Sequence, residues 1–333
     1  MSEPTLGVVA VGNALVDVLA HATEDFVAKQ HAEHGMVKGA MTLIDSDRAV
    51  DLYRQMGPSI ESSGGSAANT VAGYASFGGK AGFIGKVADD QLGRVFVHDI
   101  RSLLVHYDTP VLRDGTPTGR CLILVTPDAQ RTLNTFLGAS VELGPDDVSR
   151  ELITSAQITY LEGYLFDKDQ AKQAFVTAAK YAHEAGRKVA LTLSDSFCVN
   201  RHRDDFLQLI NGHVDILFAN EDEIKALYQK SELNEALKLV GGHVEIAVVT
   251  RSEKGAVVLA AGDQTVVPAE PVDDVVDTTG AGDQFAAGFL FGLTEGMDFE
   301  KSAKLGAIAA AEVISHLGPR PEIPLSELLD GVV

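Results

Sequence analysis

The sequence predicts an α/β protein: a central, mostly parallel sheet with helices on both faces, and a small β-sheet set against it as a lid. Three observations carry this. Short apolar runs of strand length recur along the chain, at Leu6–Val11, Ala81–Gly85, Ile158–Leu161, Val189–Leu193, Asp215–Ala219 and Glu245–Thr250. Helical patterns separate them. Two stretches, 13–44 and 105–136, break that alternation.

In chain order, LGVVAV ends at Gly12 and reads as a buried strand. Asn13–His21 and His34–Ile44 read as strands without a long helix between them. SGGSAAN, Ser63–Asn69, opens a helix that Gly78-Gly79 follow. Val105–Phe136 carries turn signals at Asp114-Gly115, Pro117 and Pro127-Asp128. Gln170–Gly186 places Ala171, Ala174, Phe175, Ala178, Ala179 and Ala182 on one stripe, with Gly186 to stop the helix. Asp204–Ile210 and Glu221–Tyr228 are also helical. The expected division is a core of 1–12, 45–104 and 137–333 and a lid of 13–44 and 105–136. The ordinary alternative for the lid stretches is surface hairpins.

Composition excludes several functions. The chain has 333 residues and a formal net charge of -20, with 47 acids against 27 bases. Nucleic acid binding needs a basic face, so DNA and RNA are not expected partners. An anionic ligand needs a local device to overcome that field. Cys121 and Cys198, the two cysteines, lack metal-ligand or framework spacing. The N-terminus has no basic n-region, and the apolar run after Gln284 covers about ten residues where a bilayer needs about twenty. No membrane partner is expected, and a cytoplasmic location is the default.

Local devices are present. In DTTGAGDQFAAGFLFGL, Gly280, Ala281 and Gly282 precede Asp283 at the start of an apolar helix. The first N–H groups of a helix lack partners and carry partial positive charge, so an anion can approach them where side chains are small. Asp283 beside them can cap the helix or accept a proton from an attacking hydroxyl. Gly64 and Gly65 let backbone approach a ligand, and Asn69 can donate and accept. Asn13 and Asp17 follow the first strand, at the end where open α/β sheets bind ligands. A carboxylate there can accept from two sugar hydroxyls. No G-x-x-x-x-G-K-[ST] loop occurs: Gly79-Lys80 runs into Ala81 and Gly85-Lys86 into Val87. The G-x-G-x-x-G and G-x-S-x-G signatures are absent too.

Together these motifs resemble the PfkB, or ribokinase-like, family of carbohydrate and nucleoside kinases. Ser63–Asn69 with Gly78-Gly79 and Gly85 resembles the N-terminal signature, and Asp277–Asp283 with Phe285 and Gly288 the C-terminal one. The likeness runs from about Val8 to Gly318 and implies a Rossmann-like α/β core with a small β lid. It implies that Asp283 is the catalytic base and that the backbone of Gly280, Ala281 and Gly282 is an anion hole. It assigns Asn13, Asp17, Gly64, Gly65 and Asn69 to the substrate and Asn220, Thr250, Gly255 and Gly282 to the nucleotide. Glu223 corresponds to a residue that organises Mg²⁺ through water; acids in a first helical turn are also favourable without any metal. Asp277 and Thr279 correspond to oxygens of a monovalent cation (K⁺) site in many members. ATP and Mg²⁺ are the implied cofactors. One departure stands out: in Thr250-Arg251-Ser252-Glu253-Lys254-Gly255, Ser252 replaces the middle glycine of T-x-G-x-x-G.

Lys38–Ile44, Pro117-Thr118-Gly119 and Arg131-Thr132-Leu133 resemble the adenosine kinase branch, which places Arg131 near substrate or phosphates and makes adenosine the expected acceptor. Leu15, Met36, Leu133 and Phe136 are candidates for an apolar base slot, or for simple packing. The alternative acceptor is fructose, ribose or a related sugar. A nicotinamide oxidoreductase lacks its fingerprint, and a sensor without turnover has no need of Asp283. A monomer and a homodimer both fit the sequence.

Overall fold

A computed structural model describes residues 3–128 and 130–329. Its strands are β1 (Leu6–Val11), β2 (Leu15–His21), β3 (Met41–Leu43), β4 (Ser59–Gly64), β5 (Ala81–Ile84), β6 (Thr118–Val125), β7 (Arg131–Gly138), β8 (Ala156–Glu162), β9 (Lys188–Thr192), β10 (Ile216–Asn220), β11 (Ile246–Thr250), β12 (Ala256–Ala260) and β13 (Asp263–Val267). Eight form one sheet, in the order β13-β12-β11-β10-β9-β8-β1-β5. Pairing is parallel from β5 through β11, and β12 and β13 add an antiparallel edge. All six apolar runs are strands of this sheet.

Alternation of side chains splits the core in two. Val8, Ala10, Tyr160, Phe218 and Val248 point into one apolar layer. Val9, Val11, Leu161, Leu217 and Val249 point into the other. Strands buried on both faces must be apolar at every position, which is why they read as continuous runs. Glu162, Asn220 and Thr250 stand at their C-terminal ends, and Asn13 just beyond that of β1.

The small sheet has the order β3-β7-β6-β2-β4. The face carrying Val16, Val18, Leu122 and Leu124 joins the main apolar layer with Ala49 and Leu52 of the helix Ser46–Gln55. The other face gathers Cys121, Ile123 and Val125 with Leu19 and Leu133.

The small sheet departs from expectation in three places. A helix, Glu24–His34, stands between β2 and β3 where strands alone were expected. Its signals are local: Thr23 caps Phe26 N–H, Glu24 and Asp25 occupy the first turn, and Gly35 ends it at φ 71°. β4, inside the stretch expected in the core, pairs antiparallel with β2 in the small sheet. Residues 106 and 112, expected in the lid, instead bridge to 82 and 88 at the edge of the large sheet. Among the described residues no helix is long and apolar enough to cross a membrane.

Candidate active site

Asp283 lies in the first turn of the helix Ala281–Thr294. Gly280 precedes that helix at φ 80°, and no side chain caps it. A Cβ at Gly280 would fall 2.6 Å from the Pro319 carbonyl oxygen, whereas one at Gly282 would meet nothing within 4 Å. The space beside Gly282 is therefore open, while the Ala281 N–H donates to the Thr278 carbonyl at 3.3 Å. Asp283 does not cap the helix. Its Oδ1 accepts from Ser66 Oγ at 2.6 Å and its Oδ2 from Asn69 Nδ2 at 3.3 Å. The residue as a whole is partly buried. Burial, opposed by those two hydrogen bonds, pushes its pKa up to about 6.

Asp17 projects from β2 over Gly64. A Cβ at Gly64 would sit 2.4 Å from the Asp17 carboxyl carbon, so only glycine admits the side chain there. Gly65, at φ 103°, turns the chain from β4 into the helix Ser66–Ser76, and a Cβ would overlap the Asn13 carbonyl at 2.1 Å. Burial lifts Asp17 to about 6, against the pull of Arg320 and Arg131. Asn13 is buried behind it. Its Nδ2 donates to Glu162 Oε1 at 2.7 Å, and its Oδ1 accepts from Ser140 Oγ at 2.8 Å. Glu162 Oε2 accepts from Ala67 N at 2.8 Å, and burial raises Glu162 to about 7.

Arg131, from β7, forms an ion pair with Asp277 at 2.9 Å, and both side chains are buried. None of the Arg131 side-chain nitrogens, Nη1 included, makes a hydrogen bond of good geometry in the protein. Asp277 Oδ1 accepts from Thr279 N and Oγ1, at 3.1 and 2.8 Å, and its Oδ2 accepts from Gly318 N at 3.1 Å. A monovalent cation at Asp277 and Thr279, as expected, would compete in this arrangement with the Arg131 charge 2.9 Å away and with the three donors Thr279 N, Thr279 Oγ1 and Gly318 N.

Asn220 and Glu223 form a reciprocal cap. Glu223 N–H donates to Asn220 Oδ1 at 2.8 Å, while Asn220 N–H and Nδ2 donate to the two Glu223 oxygens at 2.9 and 2.7 Å. Burial and the nearby Asp195 and Asp222 raise Glu223 to about 7. Such a carboxylate suits a water-mediated contact with a divalent cation. Both Glu223 oxygens are already engaged by the cap, which leaves a bridging water as the fitting contact. Thr250 ends β11, and Ser252 stands at φ 52°, a left-handed turn that glycine adopts more easily. Gly255, at φ 77°, completes the reversal into β12.

The structure thus brings Asn13, Asp17, Gly64, Gly65, Asn69 and Gly280–Asp283 together, with Arg131 and Asp277 beside them. Thr250, Gly255, Asn220 and Glu223 lie at the ends of β10 and β11. The base slot is redrawn. Leu133 faces the cleft layer, but Phe136 stands on the opposite face of β7 and packs in the main layer, as does Met36. Sequence reasoning left out three residues of the site. Ser66 lay inside a quoted motif, and Glu162 ends a strand on the ligand side. Arg320, in a Gly-Pro-Arg-Pro stretch, has no local signature. A separate groove of about 600 Å³ beside the helix Gln91–Ser102 pairs its own cations, Arg94 with Asp89 and Arg101 with Asp108. It lacks the convergent acids found at Asp283.

A family model described as pfkB family carbohydrate kinase matches residues 41–325. Among solved structures, the adenosine kinase of Sinorhizobium meliloti is 49% identical, with a TM-score of 0.90, over 98% of this chain and 99% of that one. The adenosine kinase of Saccharomyces cerevisiae is 28% identical over 95% of this chain and 96% of its own length. The 5-dehydro-2-deoxygluconokinase of Geobacillus thermodenitrificans is also 28% identical, over 76% of this chain and 78% of its own length.

Proposed function

The chain belongs to the pfkB family and is a phosphotransferase acting on an alcohol, and we propose that it moves the γ-phosphoryl group of ATP to the primary hydroxyl of adenosine, giving AMP and ADP. The observation that carries this reading is Asp283, held by Ser66 and Asn69 beside an uncapped, glycine-led helix start. The Asp283 carboxylate takes the proton as the hydroxyl oxygen attacks the γ-phosphorus and the bond to the bridging oxygen breaks. The amides of the helix start stabilise charge on the transferred group. Asp17, beside Gly64, holds the sugar hydroxyls; Asn13 stays buried behind it with both ends of its amide engaged by Glu162 and Ser140, and Arg131 contributes its charge beside the site. Glu223 and Asn220 would contact Mg²⁺ through water; when bound, that ion neutralises phosphate charge.

Adenosine is favoured by the likeness to two adenosine kinases and by the apolar layer of Leu19, Cys121, Ile123 and Leu133 next to Asp17. That layer offers a nucleobase a surface a free sugar does not need. The likeness to 5-dehydro-2-deoxygluconokinase supports a sugar acceptor as the second reading. The test is a coupled assay with ATP, Mg²⁺ and a panel of nucleosides and sugars. AMP from adenosine is the expected product. A sugar that outruns adenosine overturns the acceptor, and silence across the panel overturns the role of Asp283.

A further inference from the structure

Asn69 reaches Asp283 through one end of its amide. Which end faces the carboxylate decides whether the contact is a hydrogen bond or a repulsion, because the amide presents a donor on one side and an acceptor on the other. Arg320 decides it. Arg320 Nε donates to Asn69 Oδ1 at 3.1 Å. A guanidinium has donors only, so Oδ1 must face it and Nδ2 must face Asp283. Arg320 is itself anchored. Its Nη1 donates to Ser63 Oγ at 2.7 Å, on β4, and to Asp99 Oδ2 at 3.1 Å, on the helix Gln91–Ser102. Asp99 Oδ2 also accepts from Ser63 N at 2.8 Å. The segment carrying Arg320 is fixed on both sides: Gly318 N donates to Asp277, and the Pro319 carbonyl accepts from Gln284 Nε2 at 2.9 Å. Gln284 Nε2 reaches the Asn69 carbonyl as well, at 3.1 Å.

We infer that Arg320 is a positioning residue of the phosphoryl transfer site: it locks the Asn69 amide in the orientation that aims an N–H at the Asp283 carboxylate. The inference rests on the reading of Asp283 as base. Arg320 touches no reacting atom in this account; it acts through Asn69 and through its charge. The groups that face Asp283 electrostatically are Asp17 from β2, Tyr160 and Glu162 from β8, Tyr164 just beyond it, and Arg320. Arg131 and Arg320 both face Asp17. Arg320 is the cation that opposes the acids around Asp283. Without it the amide is free to rotate and the carboxylate loses a favourable charge, so proton uptake by Asp283 becomes easier.

The test compares wild type, Arg320→Ala and Asp283→Asn. With Arg320→Ala we expect kcat to fall by about 10²-fold, the scale of a misplaced reactive group, with KM for both substrates unchanged. The acid limb of kcat should move to higher pH, and millimolar guanidinium should restore turnover. The Asp283 carboxyl, followed by ¹³C resonance in aspartate-labelled protein and assigned with Asp283→Asn, should titrate at higher pH in Arg320→Ala. Wild-type kcat in Arg320→Ala overturns the inference. So does a loss of kcat with an unshifted carboxyl titration and no rescue. If Arg320→Ala does not fold, Asp99→Asn loosens the same guanidinium from outside the site, and the same shift in titration is required of it. Full turnover in Asp283→Asn overturns the base assignment instead, and the carboxyl titration still reads the Arg320 effect independently.

Discussion

Arg131, on the small sheet, stands 2.9 Å from Asp277, which leads into the glycine turn of the large domain. The pair ties the small sheet to the segment that leads into the Ala281–Thr294 helix. It also puts a permanent cation at the carboxylate expected to serve a monovalent ion. Removing one partner of a buried pair leaves an uncompensated charge. Arg131→Met is therefore expected to destabilise the protein by about 3 kcal/mol, the lower end for such pairs because Thr279 and Gly318 still hold Asp277. Urea denaturation measures it. Replacing K⁺ by a bulky ammonium ion in the assay should leave wild-type turnover unchanged.

Asp283→Asn removes the proton acceptor and keeps the shape. The expected loss in kcat is about 10²- to 10⁴-fold, with melting close to wild type. Steady-state kinetics and a thermal scan on the same preparation decide it; a variant that retains turnover requires another base.

Asp283 and Asp17 both have pKa values lifted to about 6. Each is useful only when ionised, so kcat/KM should fall as pH drops through about 6. Stability moves the opposite way. Asp17, Asp283, Glu162 and Glu223 all bind protons more tightly folded than unfolded. Their contribution is fully present below the ordinary carboxylate range and is lost as pH rises through about 6 to 7. His213, held low by burial, opposes this as a single group. Melting temperature should rise between pH 8 and pH 5.5 while activity falls.

Gly280 and Gly282 separate backbone strain from access. Gly280→Ala forces a side chain into φ 80° and against Pro319, which should cost 1 kcal/mol or more, on the order of other left-handed glycine sites, and lower kcat with it. Gly282→Ala has room in the fold. It should melt like wild type and still lose turnover, because its methyl group intrudes where the transferred phosphoryl group needs the amides. Thermal scans and kinetics of the two variants make the contrast.

The parts of this protein legible in its sequence are those with local causes. Apolar runs such as LGVVAV mark strands buried on both faces, and each recurs as a strand of the large sheet. Gly280-Ala281-Gly282 before an apolar run marks a helix start without obstruction, as found. The helix Glu24–His34 is equally marked by Thr23 and Gly35, but its apolar stripe is weak. Asn220 and Glu223 show the converse: a pattern suited to a metal also makes a complete cap from residues three apart.

What only the tertiary structure decided is which distant groups meet. Phe136 left the base slot because its face of β7 packs into the main apolar layer, while the Leu133 face joins Cys121, Ile123 and Val125. Ser66 meets Asp283 across 217 positions, and Arg320 meets Asn69 across 251. Such contacts come from how layers pack and leave no periodicity or spacing in the chain. The sequence determined that an acid would stand at an open helix start; packing determined which donors hold that acid, how far burial lifts its pKa, and that Asp277 answers to an arginine.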